Sequence, residues 1–341
     1  MATYRKRGSN WQAIIRRKDA PAQSMAFPSK AQAQAWATKI EAEIVAGKAG
    51  LPTSKTLVDA IDLYLKDVVP HKRGERWEKI RLAKLKRELP FADKAIGRIT
   101  PVDITTWANE RSQLPSPVRP GKRMAPNSVL RDATVIGSVF RYATRTLRWL
   151  DQSPMKNAVL PKPGKARTRR IKEEELQALI VACGYQHGHP PTNAMHRVAL
   201  AMLFAIETCM RTSEICTLER SQIFDRHVHL LKSKNGDERE VPLSTRAREI
   251  LQILPDDFDP VFGLSAATLD VLFRRVRAAA AERLPSVKSI HFHDTRREGA
   301  SRLSKKLEVM ELARMGGWRD VNILYKTYYS IPVEDIGAKL D

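Results

Sequence analysis

Apolar positions recur along this chain chiefly at the three- and four-residue spacing of amphipathic helices, and alternate every second residue in only two places. The first place is near the start. Trp11-Gln12-Ala13-Ile14-Ile15-Arg16-Arg17 predicts a strand, Lys18-Asp19-Ala20-Pro21 a turn, and the residues around Met25-Ala26-Phe27 a second strand. Pro28-Ser29 then opens a helix with Ala33, Trp36, Ala37 and Ile40 on one face, ending at Gly47, so residues 1–50 make a small β-ribbon-and-helix module. From 55 to 150 the pattern is all helical. Thr56 caps a helix carrying Leu57, Ala60, Ile61, Tyr64 and Leu65 on one side, with Pro70 beyond it. Arg76 to Leu89 forms another, Pro101 sits at the first-turn position of a third, and a long helix runs from about Asn127 to Leu147.

Residues 151–170 break this rhythm. Pro154, Pro161, Pro163 and Gly164 alternate with Lys162, Lys165, Arg167, Arg169 and Arg170 without any apolar period, which predicts an extended basic linker. Helical spacing returns at Lys172 to Cys183 and Met195 to Cys209. The second alternating stretch follows, His227 to Lys234 and Arg239 to Leu243, joined by Asn235-Gly236, the strongest short signal for a hairpin. Helices dominate again from Ala266 to Leu284 and from Asp294 onward. The expected fold class is mainly α with small β elements (α+β), with residues 171–341 as one mostly helical domain carrying the hairpin.

Charge changes the picture from architecture to partner. Lys and Arg number 59 against 38 Asp and Glu, a net charge of +21. Up to Arg170 there are 35 basic and 14 acidic residues, and after it 24 of each, so the whole excess lies in the first half. Basic holding modules joined to a neutral module with another task fit this asymmetry, and the partner they imply is nucleic acid. Candidate phosphate contacts are Arg16 and Arg17 on the ribbon, Lys84, Arg87, Lys122, Arg123, Arg141 and Arg145 in the helical module, and Lys165, Arg167, Arg169 and Arg170 in the linker. No run reaches the roughly 18–20 apolar residues of a membrane span, and Met1 to Arg7 leads into polar sequence instead of an apolar signal core. The expectation is a cytoplasmic, nucleoid-associated protein with no membrane partner.

Three cysteines, Cys183, Cys209 and Cys216, show no paired spacing and read as core thiols of a reducing compartment. Cys183 with His187 and His189 lacks the fourth ligand of a structural zinc site, so no metal is expected.

Four separated features in the second half carry candidate chemistry. They are Arg211 with Glu214 three residues on, Lys234 at the hairpin tip, His293 with Arg296 three residues on, and Gly316-Gly317-Trp318 followed by Tyr325, Tyr328 and Tyr329. Singly each reads as an ion pair, a polar helix face or a core aromatic. Together and in this order they resemble the tyrosine recombinase, or phage integrase, family. The segment Met210 to Ile215, the hairpin from Ser233 to Leu243 and Phe292-His293-Asp294-Thr295-Arg296 are similar to its three signature blocks. The resemblance is specific over roughly 170–341. Upstream it is looser, where 55–150 resembles the family's core DNA-binding domain and 1–50 the arm-type DNA-binding module of some integrases. Ile290 to Glu298, with the tail from Tyr328 to Asp341, resembles most the invertases that shuffle plasmid segments.

The chain departs from the family pattern in two ways. His is common where Trp318 stands, although either ring donates an N–H. In many members the nucleophile follows that position by nine residues, which lands here on Thr327, and a threonine cannot form a phosphotyrosine. A one-residue insertion places the nucleophile at Tyr328, with Tyr329 and Tyr325 as alternatives.

The resemblance implies a site-specific recombinase that cleaves DNA through a 3′-phosphotyrosine and rejoins it, with integration, excision or inversion as the outcome. No cofactor is implied, since the bond energy stays in the protein–DNA ester. A tyrosine with an ordinary pKa near 10 needs roughly 4 kcal/mol of help at neutral pH. Arg211 and Arg296 suit the nonbridging phosphate oxygens, His293 a hydrogen bond or proton movement, and Lys234 protonation of the departing 5′-oxygen. Glu214 would orient Arg211 or His293, and Trp318 would add a hydrogen bond and exclude water. Implied partners are double-stranded DNA with paired recombination sites, further copies making a homotetramer on two sites, and accessory DNA-bending proteins. Two other readings use the same residues. One is relaxation by a type IB topoisomerase, and the other is a DNA-binding regulator without catalysis.

Overall fold

The computed structural model describes residues 2–17, 20–45, 55–164, 167–231, 238–322 and 324. The chain divides into two compact units, Met1–Lys165 and Ala166–Asp341.

The first unit begins with an antiparallel sheet of β1 (Ala2–Arg7), β2 (Asn10–Arg17) and β3 (Ala20–Phe27) in the order β1-β2-β3. The strand β1 is absent from the sequence expectation, because Arg5-Lys6-Arg7 hides its alternation. It forms against β2, with Ala2 opposite Ile15, Tyr4 opposite Ala13 and Lys6 opposite Trp11. The strand β3 starts earlier than expected and takes in Ala20 and Pro21, which an edge strand tolerates because one side of it needs no ladder bonds. Helix α1 (Lys30–Val45) covers one face, where Ala13, Ile15, Ala33 and Ala37 are buried among Tyr4, Trp11, Phe27, Trp36 and Ile40. Alternation therefore sends Arg5, Arg7 and Arg16 to the other face, where all three are exposed.

Four helices follow: α2 (Leu57–Asp67), α3 (Glu75–Glu88), α4 (Pro101–Gln113) and α5 (Pro126–Arg145). Their starts are written in the sequence. Thr56 with Asp59, and Thr100 with Asp103, form reciprocal capping boxes, and Pro101 occupies the first helical position. Leu57, Ile61, Leu82, Leu85, Ile104, Ile136 and Phe140 fill the core between them. Asp132 of α5, 2% exposed, accepts from Arg81 of α3 and from Arg111 of α4 at 2.6 Å, so one carboxylate joins three helices. The first part of the expected linker is tied to this bundle. The Val159 N–H donates to Thr105 Oγ1 at 2.9 Å and the Gly164 N–H to Asn127 Oδ1 at 3.0 Å.

The second unit contains α6 (Glu173–Ala182), α7 (Ala194–Thr208), α8 (Thr212–Cys216), β4 (His227–Leu230), β5 (Arg239–Pro242), α9 (Thr245–Gln252), α10 (Ala266–Arg283), α11 (His293–Leu303) and α12 (Val309–Gly316). Helix α7 is its axis: every residue from Val198 to Ile206 is buried, as a helix surrounded on all sides requires. Helix α11 packs directly on α7 at Gly299, where an added Cβ would lie 2.3 Å from the Ile206 carbonyl oxygen. The hairpin strands pair Val228 with Val241 and Leu230 with Arg239, and Val228, Leu230 and Val241 face the core. Helix α8, at five residues, is too short to show a period, and α9 is likewise absent from the sequence expectation. No helix among the described residues is long and apolar enough to cross a membrane.

Candidate active site

Helix α7 ends at Cys209, which takes a left-handed backbone (φ 52°, ψ 22°) and turns the chain sharply into Arg211. Arg211 becomes the N-cap of α8. Its backbone N–H donates to Glu214 Oε2 at 2.8 Å and its Nη1 to Glu214 Oε1 at 2.7 Å, so the three-residue spacing closes a ring of bonds at the helix start. Its Nη2 donates to the Gly317 carbonyl at 2.9 Å, a residue 106 positions away.

Arg296 arrives from the first turn of α11 and is 4% exposed. Its Nη1 donates to the Cys209 carbonyl and its Nη2 to the Gly316 carbonyl, the latter at 2.8 Å. Its guanidinium carbon stands 4.2 Å from the centre of the Trp318 ring. Arg211 and Arg296 therefore hang on successive carbonyls of one turn, Gly316 and Gly317, and Trp318 closes over the second of the two guanidiniums. Glycine is required on both counts. Gly317 has φ 69°, and a Cβ on Gly316 would run into the Trp318 ring. Burial, then the neighbouring Arg211 charge, lowers the Arg296 pKa to about 10, which still leaves it charged at neutral pH.

His293 is exposed at the start of α11, one turn before Arg296. Desolvation, followed by the charges of Arg296, Arg297 and Arg211, holds its pKa below the ordinary histidine value. Glu214 is buried, and although burial alone would raise its pKa, Arg239 and Arg211 together hold it below the usual carboxylate value. Of the expected site, the structure thus brings together Arg211, Glu214, His293, Arg296 and Trp318. Lys234, Tyr325, Tyr328 and Tyr329 lie outside the described residues.

Two features escape the sequence reading. Arg239, which the pattern marks only as a strand residue, has its guanidinium in the cluster, with Nη1 and Nη2 on the two Glu214 oxygens at 3.0 and 2.7 Å and Nε on the Met315 carbonyl at 3.0 Å. The signal is the buried Glu214 itself, a carboxylate with about four acceptor sites of which Arg211 fills two, one on each oxygen. The second is a set of buried carboxylates on α11 and α6. Arg167 donates to both oxygens of Asp294 at 2.9 and 2.6 Å, Arg169 to Glu175, and Arg170 to Glu298 at 3.2 Å. Asp294 and Glu175 are each 1% exposed, so Arg167 and Arg169, expected as free linker cations, serve internal partners.

The other candidate DNA contacts are dispersed over the first unit. Arg16 is exposed on the outer face of the sheet; the side chain of Arg17, and Lys165, lie outside the described residues. On α3, Lys84 and Arg87 are exposed, with Lys84 3.7 Å from Glu88. Lys122 and Arg123 stand exposed between α4 and α5. Arg141 and Arg145 on α5 line a groove of about 460 Å³ with Thr134 and Lys156. Cys183, Cys209 and Cys216 are buried, and desolvation pushes their thiols up to about 12, 12 and 11. His187 meets the Tyr185 ring edge to face and His189 Nδ1 lies 3.2 Å from the His187 carbonyl, and among the described residues no group of His, Cys, Asp and Glu is placed to hold a metal ion.

Comparison with known proteins bears on the family and the fold. Residues 169–334 match the model of the phage integrase family. A putative integrase/recombinase of Haemophilus influenzae is 38% identical over 340 residues, covering 97% of this chain and 87% of that protein. A shufflon-specific DNA recombinase of Escherichia coli is 34% identical over 291 residues, covering 84% and 72%. Among solved structures, the Tn1549 transposon integrase in complex with circular intermediate DNA superimposes with a TM-score of 0.64 over 84% of this chain and 100% of that one; at 15% identity this likeness speaks for the fold. With two guanidiniums fixed on one glycine turn, the second of them beneath a tryptophan, and a relative aligned over nearly its whole length, the chain belongs to the phage integrase family of tyrosine recombinases, enzymes that break and rejoin DNA strands through a phosphotyrosine intermediate.

Proposed function

We propose that Tyr328 is the nucleophile of a site-specific recombinase acting on paired sites in double-stranded DNA. Its oxygen attacks the scissile phosphorus, the bond to the 5′-oxygen breaks, and the 3′-phosphate is left esterified to the protein. Attack by a 5′-hydroxyl of another strand reverses the step. Arg211 and Arg296 hold the nonbridging oxygens through the pentacoordinate state, Trp318 shields that charge from water, and His293 donates a hydrogen bond or relays the tyrosine proton. Lys234, carried by the hairpin, protonates the departing 5′-oxygen. The observation that carries this reading is the pair of guanidiniums on the Gly316 and Gly317 carbonyls, since it fixes two forked cations around one point before any DNA arrives.

Residues 1–50 and 55–150 hold the duplex as the arm-type and core-binding modules, through Arg16, Arg17, Lys84, Arg87, Lys122, Arg123, Arg141 and Arg145. Residues 151–170 connect them to the catalytic domain at 171–341, with Lys165 and the outer face of Arg170 toward phosphate. Similarity to the shufflon-specific recombinase favours inversion between inverted repeats, carried out at the nucleoid by four copies on two sites with accessory DNA-bending proteins.

The test is a nicked suicide duplex carrying the inverted repeats from the chain's own genetic neighbourhood. A denaturant-stable adduct mapped to Tyr328 is expected, with loss of at least about 10³-fold in Tyr328→Phe, on the order seen when a catalytic nucleophile is removed. An adduct on Tyr329 or Tyr325 moves the nucleophile. Tight, salt-sensitive binding without any adduct overturns the catalytic reading in favour of a regulator.

A further inference from the structure

Arg239 belongs to β5, on the return strand of the hairpin and five positions after Lys234. Its side chain is 8% exposed, and its bonds reach two other parts of the site. Both terminal nitrogens close a fork on the two oxygens of Glu214 in α8, and Nε reaches the Met315 carbonyl at the end of α12. The plane of the guanidinium lies against Gly317, where a Cβ would sit 3.2 Å from its carbon. One side chain therefore ties the hairpin, the helix that starts with Arg211, and the turn on which both Arg211 and Arg296 hang.

The electrostatics show what would follow from losing it. Glu214 is buried and shared by two guanidiniums, Arg211 and Arg239. While Arg239 holds both carboxylate oxygens, the three groups sum to one positive charge, and Arg211 keeps donor capacity for a ligand. Without Arg239, Arg211 alone would face a buried carboxylate of opposite sign, and the pair would sum to zero just where a phosphate must be received. The turn from Met315 to Trp318 would also lose a donor on the carbonyl next to those that seat Arg211 and Arg296.

We propose that Arg239 is a positioning residue for strand cleavage, holding Glu214 and the Met315–Trp318 turn so that Arg211 is aimed at, and its charge reserved for, the scissile phosphate. This rests on the reading of Arg211 given above. Lysine cannot take its place, because a single ammonium cannot hold a carboxylate fork and a carbonyl from one plane.

The experiment uses the full chain and the nicked suicide duplex described above, with Arg239→Lys, Arg239→Met, Glu214→Gln and the double variant Arg239→Met/Glu214→Gln. Single-turnover adduct formation at saturating protein is expected to fall about 100-fold in both Arg239 variants, the scale on which small misplacements act. Duplex affinity should stay within about threefold, because no phosphate contact is assigned to Arg239. The double variant should be no more than about threefold slower than the worse single one, since both substitutions break the same link. Replacing the scissile phosphate by a neutral methylphosphonate, which removes the charge Arg211 answers, should shrink the deficit to under about tenfold. A merely structural defect would persist on both substrates. Wild-type rates in Arg239→Lys, multiplicative losses in the double variant, or a deficit that tracks duplex affinity each overturn the proposal. Absence of an adduct with the wild-type chain overturns the underlying catalytic reading instead, and the proposal falls with it.

Discussion

His293 illustrates how a single residue inherits its chemistry from the charges around it. Its imidazole, exposed at the helix start yet partly desolvated by the cluster, faces the charges of Arg296, Arg297 and Arg211, with Asp294 pulling the other way, so its folded pKa is held below the ordinary value of 6.5. The ring is therefore neutral at pH 7, able to donate from one nitrogen and accept at the other. Protonation in acid adds a fourth cation beside three guanidiniums and removes the acceptor. Between the depressed value and 6.5 the unfolded chain binds more protons than the folded one, so falling pH in that window costs stability as well as acceptor function. Single-turnover cleavage in the wild-type chain should lose rate along an acid limb centred below pH 6.5. His293→Gln, which keeps an N–H donor without titrating, should lack that limb while running more slowly at pH 7. An acid limb at or above 6.5, or one unchanged in His293→Gln, would contradict this placement of the imidazole.

At the scale of elements, α11 aligns two ends of the site, and its closeness to α7 is set by one residue. Gly299 lets the helix approach until its backbone meets the Ile206 carbonyl, and on that approach depends the reach of Arg296 to the Cys209 carbonyl at the end of α7. Gly299→Ala must push the helices apart, because the obstacle is backbone and not a side chain that can swing away. Overpacking of this kind costs about 1–3 kcal/mol, and a displacement near about 1 Å lowers cleavage on the order of 100-fold. Gly97→Ala is the control. A Cβ there meets nothing within 4 Å, so its unfolding midpoint in urea should match the wild type while that of Gly299→Ala falls. Equal midpoints for the two variants would show that α11 can yield without loss. Amphipathic helices are legible in the sequence because burial on one face imposes a period: the faces of α1 and α2, the cap at Thr56 and Pro101 at the start of α4 can all be named from residue order. The strand β1 is not legible, because its outward residues are basic and its inward ones, Ala2 and Tyr4, only modestly apolar. Arg239 is not legible for a related reason. Strand patterning announces buried apolar residues such as Val241, whereas a buried arginine is explained only by the carboxylate that meets it from elsewhere in the chain.

Across the whole molecule the charge follows the two compact units, with 32 basic and 14 acidic residues in 1–165 and nearly balanced numbers beyond. Yet the cations are not equivalent, and geometry sorts them. Arg141 and Arg145 are exposed on α5 with no side-chain ion pair among the described residues, whereas Arg167 spends both ends of its fork on the buried Asp294. Asp294 is held below the usual carboxylate value by that arginine and by the His291 N–H, against the opposing effect of burial, so the pair is intact at neutral pH. If about 6–10 phosphates are neutralised on binding, the logarithm of the duplex affinity should fall with the logarithm of salt at a slope of about −5 to −9. Arg141→Gln and Arg145→Gln together should reduce that slope by about 2, one for each phosphate left without its cation, with little change in melting temperature. Arg167→Gln should do the opposite. The slope should hold to within about 0.5 of the wild-type value, while the melting temperature drops because a buried carboxylate loses its partner. A slope that changes as much in Arg167→Gln as in the single variant Arg141→Gln would mean that the arginine leaves Asp294 for the phosphate when DNA binds. The linker would then be part of the DNA grip and not of the catalytic unit's framework.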